Sequence, residues 1–86
     1  MPTISQFYGI VVQMFWMDHD PPHFHAAYAE YEAIIDIRTL RVLRGELPRR
    51  ATALVLEWAR EHRAELLENW ELCRRNQTPT RIRPLT

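Results

Sequence analysis

The chain has 86 residues, 47% of them hydrophobic and 26% charged, which is the balance of one small globular domain and not of a disordered segment. A single cysteine, Cys73, excludes an internal disulfide and suits a reducing compartment. The longest nearly apolar run, Ile10 to Met17, is too short for a bilayer span, which takes about 20 residues.

Formal net charge is zero, but it is unevenly spread. Residues 1–37 hold five carboxylates and no Lys or Arg; residues 38–86 hold eleven arginines against six glutamates. With no basic n-region at the start, no secretory signal is expected, and the reading is a soluble cytoplasmic protein without membrane contact. The two halves are expected either to attract each other, within the fold or across a dimer, or to form an acidic cation-binding end and a basic anion-binding end. All the bases are arginines, whose fork suits phosphate.

Residues 3–8 alternate and end at Gly9, so a strand and a turn are expected. Ile10 to Met17 is rich in β-branched and aromatic residues and reads as the second arm of a hairpin. Asp18 to Pro22 is a loop, because Pro21 and Pro22 lack the N–H a ladder needs. His23 to Tyr28 resumes strand alternation, with His23, His25 and Ala27 on one face and Phe24, Ala26 and Tyr28 on the other. A turn is expected over Ala29–Glu32, a strand over Ala33–Ile37, and a further short strand at Arg41–Leu43.

Pro48 opens the second half, as proline favours a first helical turn. Val55, Trp58, Ala59, His62, Leu66, Trp70 and Cys73 recur at three- and four-residue steps, one helical stripe. The span over about residues 48–76 is long for one helix, and the stripe is weakest near Glu61–Ala64, so one rod or two consecutive helices are both open. Pro79 and Pro84 turn residues 77–86 into an extended tail, with Arg81–Arg83 a candidate edge strand. The expected fold is a single α+β domain over residues 1–86: antiparallel strands over about 3–43, then helix packed on one face.

Chemistry concentrates between Asp18 and His25, where three of the four histidines lie within seven residues. His23 and His25, at i and i+2 on a strand, project from one face and can share an ion or a proton-transfer role. His19, Asp18 and Asp20 can complete a ligand set for Zn²⁺ or a similar divalent metal. The alternative is structural: the histidines hydrogen-bond the backbone of a stiff loop. Arg49 and Arg50 stand in the first helical turn, where positive charge costs a few tenths of a kcal/mol each, roughly. They are candidates for a bound anion or for pairing with Glu30, Glu32 or Asp36. His62 on the stripe and Cys73 read first as core residues. No Gly-rich phosphate loop, zinc-finger spacing or basic recognition helix is present, so sequence-specific DNA binding is not expected.

The opening Met1 to Val12, the His19-Asp-Pro-Pro-His23-Phe-His25 block, Glu32 to Ile37, Leu47-Pro-Arg-Arg50, Trp58 and Glu68-Asn-Trp70 together resemble a bacterial family known as domain of unknown function 4160. The resemblance spans essentially the whole chain. It implies a small accessory protein whose gene lies beside another small gene, as in toxin–antitoxin pairs, and hence a small protein partner. Two functions are therefore carried forward. One is a toxin-like component that acts on RNA or another phosphodiester through His23 and His25. The other is a non-enzymatic homodimeric binding module whose histidine loop is structural.

Overall fold

A computed structural model describes residues 2–86. Five strands come first: β1 (Thr3–Phe7), β2 (Ile10–Gln13), β3 (His23–Tyr28), β4 (Tyr31–Asp36) and β5 (Val42–Glu46). Two consecutive helices follow, α1 (Arg49–Glu61) and α2 (Arg63–Arg74). The strands form one antiparallel sheet in chain order, β1-β2-β3-β4-β5, so each pairs with its sequence neighbour. The α+β architecture expected from the sequence is the one observed.

The β1–β2 turn uses Tyr8 and Gly9, both at positive φ (48° and 81°), and only glycine takes that region without cost. The β3–β4 turn needs only Ala29 and Glu30, so β4 starts at Tyr31, two residues ahead of expectation. The second strand, expected to run to Met17, ends at Gln13. Met14 is still tied to the sheet through Pro2 O, but Met17 has left it. The Met17 N–H donates to Cys73 O at 3.1 Å, and Met17 takes φ 56°. This contact with the end of α2 overrides the strand propensity of residues 14–17.

One face of the sheet packs against both helices. Phe24, Ala26 and Ile35 from the central strands meet Val55, Trp58, Ala59, Leu66 and Trp70, all buried. Trp58 is fully buried, with ring centroids 5.4 Å from Phe7 and 5.9 Å from Phe24. Its indole N–H donates to Arg83 O at 2.9 Å, satisfying its one polar atom. The helical stripe is broken at His62 (φ −119°, ψ 24°), inside the weak window over Glu61–Ala64. No Gly or Pro sits there. The break is accompanied by one local and one tertiary contact: His62 Nδ1 lies 2.6 Å from Glu65 Oε1, and Arg63 Nε donates to Ile37 O.

The tail does not form the expected strand at Arg81–Arg83; it is a strap along β1. The Ile82 N–H donates to Ile4 O at 2.7 Å, and Ile82 itself is buried. Buried Asn69 clamps the strap by donating to Thr80 O and accepting from the Thr80 N–H, both at 2.8 Å. No helix among the described residues is long and apolar enough to cross a membrane.

Candidate metal and proton-transfer site

The face of the sheet turned away from the helices carries the histidines. In an antiparallel ladder, residues directly opposite each other share a face. Gln13 pairs with His25, His25 with Ile34, and Ile34 with Arg44, so these four residues form one cross-strand row. His23, two residues before His25, lies on the same face, as the alternation predicts. Both histidines are mostly buried, at 8% and 9% exposure.

The loop between β2 and β3 brings a carboxylate onto this pair. Asp18 Oδ1 accepts the His19 N–H at 2.8 Å, which leaves Oδ2 to face the rings. Asp18 Oδ2 lies 2.9 Å from His23 Nε2 and 3.6 Å from His25 Nε2. One ligand atom from each of Asp18, His23 and His25 fits within a mutual distance of 4.8 Å. Burial raises the Asp18 carboxyl, but the His19 N–H, the hydrogen bond and charge of His23 and the contact with His25 outweigh it. The net effect holds Asp18 below the ordinary carboxylate value of 3.8.

The far sides of both rings face acceptors. His23 Nδ1 lies 2.7 Å from Pro21 O, and His25 Nδ1 is 3.8 Å from Glu32 Oε2. Phe15 stacks on His25 with ring centroids 4.0 Å apart, and Trp70 packs against His23 at 5.1 Å. His25 Nε2 is buried without a hydrogen-bond partner. The other such atom among the described residues, Ser5 Oγ, is on β1, two strands from β3.

A cleft of about 540 Å³ opens over the cluster, lined by Phe15, Asp18, His19, Asp20, Pro21, His23, His25, Ile34, Leu43 and Arg44. Of the residues singled out from sequence, Asp18, His23 and His25 are thus brought together. His19 and Asp20 line the cleft but stay exposed and outside the three-ligand set. Arg49 and Arg50 line no part of this cleft. Arg50 borders a separate groove with Tyr8, Tyr28 and Leu54, at the opposite end of β3. The arginine that the sheet places beside the histidines is Arg44, which sequence reasoning missed because its register with Ile34 appears only once β4 and β5 pair. Glu32, on sequence grounds a candidate partner for Arg49 or Arg50, instead faces His25.

Among the described residues no ion pair links a carboxylate of residues 1–37 to an arginine; the arginine pair found is Arg74–Glu71. The mutual attraction of the two charged halves therefore does not take the form of salt bridges within the fold. His62 bonds to Glu65 outside the cluster. Burial raises the Cys73 thiol above its ordinary 9.0, which fits a core residue and not a nucleophile.

A family model described as Domain of unknown function (DUF4160) matches residues 9–71, a span that includes the whole cluster and Arg44. No curated protein and no solved structure matches the chain.

Proposed function

The chain belongs to the DUF4160 family, and we propose that its Asp18–His23–His25 cluster is a hydrolytic centre for phosphodiester bonds, with RNA as the substrate class. The observation that carries this reading is the cross-strand row: it sets Arg44 beside two clustered imidazoles and a carboxylate at the floor of one cleft. Two strand spacings separate His25 from Arg44, about 10 Å between backbones, a gap that an extended arginine and a phosphate can span. His23 and His25 move the proton, and Arg44 draws the phosphate into the cleft. With Zn²⁺ or a similar divalent ion as cofactor, the cluster would instead activate the attacking water.

In the cell this activity would belong to the toxin-like member of a two-gene module, with a small protein partner as its antidote. The test is expression of wild type and of folded His23→Ala and His25→Ala variants, with RNA integrity followed in the culture. Growth arrest with RNA loss is expected from wild type alone. Equal toxicity from the folded variants would remove the histidines from the mechanism.

A second reading rests on β5, the edge strand whose residues are all exposed, Val42 and Leu43 at 42% and 48%. A non-enzymatic homodimer would cover that apolar pair. It predicts a dimer in solution that Leu43→Glu dissociates, and histidine variants that lose stability but no activity.

A further inference from the structure

The proposed chemistry leaves open what occupies the space between Asp18, His23 and His25. We propose that it is a mononuclear transition-metal centre, bound by Asp18 Oδ2, His23 Nε2 and His25 Nε2, with Glu32 as the positioning residue for His25. This deepens the metal-assisted form of that reading, in which the cluster activates water in place of proton transfer by the histidines, and rests on it.

The argument is a hydrogen-bond account. Pro21 O can only accept, so His23 Nδ1 carries the proton directed at it. In the neutral ring, Nε2 is then a bare lone pair, and it faces Asp18 Oδ2 at 2.9 Å. Two acceptors at that distance need a cation between them. A proton on His23 would satisfy that pair but would leave His25 Nε2 buried and unpaired. A dication satisfies all three atoms together. Zinc binds nitrogen and oxygen at about 2.0–2.2 Å, which sets neighbouring ligands roughly 3–3.5 Å apart. The two separations from Asp18, 2.9 and 3.6 Å, bracket that spacing, and the whole set stays within 4.8 Å, so a small inward movement of the rings completes it. Two nitrogens and one oxygen from the protein leave the fourth position to water or substrate, facing the cleft.

The partners behind the ligands fit the same assignment. Metal-bound histidines donate their other N–H to a carbonyl or carboxylate, which fixes the ligating nitrogen. Pro21 O does this for His23. Glu32 is the diagonal cross-strand neighbour of His25 on the same face, with its carboxylate 3.8 Å from Nδ1. Its negative charge at that distance favours the tautomer with the proton on Nδ1, which keeps Nε2 free for the ion.

The experiment titrates untagged, chelator-treated protein with Co²⁺ and Zn²⁺, by calorimetry and by the visible absorption of the Co²⁺ form. One equivalent is expected to bind, with the intense visible bands of a four-coordinate site. Asp18→Asn, a change in a partly exposed loop residue, and His25→Ala should each abolish stoichiometric binding. Glu32→Ala should weaken it by about tenfold or more, while Glu32→Gln, which can still accept the Nδ1 proton, stays near wild type. Long-range ¹H–¹⁵N spectra of the metal-free protein should show His25 protonated at Nδ1, and less so in Glu32→Ala. Folded wild type that binds no stoichiometric metal, or binding untouched by Asp18→Asn, overturns the centre. A bound metal with Glu32→Ala at wild-type affinity overturns the role of Glu32. A metal-loaded protein that cleaves no phosphodiester defeats the functional reading and leaves the centre standing; cleavage undiminished in chelator does the reverse.

Discussion

His23 is clamped between two points of the loop that precedes it, with Nε2 2.9 Å from Asp18 Oδ2 and Nδ1 2.7 Å from Pro21 O. A strand residue thereby fixes the shape of a loop, and the loop carboxylate is fixed against the strand. The cluster is thus part of what holds residues 18–22 in place, whatever else it does.

The first prediction concerns Asp18 in metal-free protein. Its folded carboxyl titrates below the ordinary 3.8, so the fold binds the charged form better than the unfolded chain does. That contribution is fully present above the ordinary value and is lost as pH falls through the lower, folded one. Asp18→Asn should therefore cost about 1 kcal/mol at neutral pH, the scale of a partly exposed charged hydrogen bond. The difference from wild type should vanish in acid. Denaturant unfolding of both proteins at neutral pH and well below 3.8 checks this; a gap that persists in acid would refute it.

The second prediction tests the strap. Asn69 is 2% exposed and makes both of its amide hydrogen bonds to the Thr80 backbone. Asn69→Leu keeps the branched shape but deletes both bonds, and should destabilise the protein by about 1–3 kcal/mol. The Ile82 amide, bonded to Ile4 O, should lose much of its protection in hydrogen exchange, while the β3 amides keep theirs.

Much of this arrangement is legible in the sequence, for stated physical reasons. The alternation of His23, Phe24, His25 and Ala26 assigns the two faces of β3, because strand side chains have a period of two. The stripe from Val55 to Cys73 marks the helical face, and its weak point marks the break. What could not be read depends on contacts remote in sequence. Residues 14–17 have strand-forming side chains, yet Met17 is bonded to Cys73 O at the end of α2. Asp18 and not His19 joins the histidine pair, because the loop turns the His19 side chain to solvent. Arg49 and Arg50 stand out in the sequence by their position against the helix dipole, whereas nothing local marks Arg44, whose place beside Ile34 is set by the β4–β5 ladder.

A third prediction follows from that pairing. Gly45 has φ 75°, and a Cβ there would lie 2.2 Å from Glu32 O, a backbone atom of β4 that cannot step aside. Gly45→Ala combines a disfavoured backbone conformation with a steric clash, so it should cost more than about 1 kcal/mol. Because the clash falls at the β4–β5 ladder, it should also displace Arg44 and Glu32 relative to His25. Thermal unfolding reads the first effect, and the metal affinity of the folded fraction reads the second.

The fourth prediction separates the two arginine sites. Arg44 shares the cross-strand row of His25 and lines its cleft, whereas Arg50 borders a groove with Tyr8 and Tyr28 at the other end of β3. Both side chains are exposed, so replacing either with Ala should change stability by less than about 0.5 kcal/mol. If the phosphate of an RNA substrate is held beside the histidines, Arg44→Ala should lower kcat/KM by about tenfold or more, the scale of losing one charge-assisted contact. Arg50→Ala should leave it unchanged. Because Arg44 touches the phosphate and not the transferred proton, Arg44→Lys should restore part of the loss by keeping the charge without the bidentate fork. Equal defects in the two Ala variants would mean that positive charge acts at long range over the whole surface; raising the salt concentration would then erase both together.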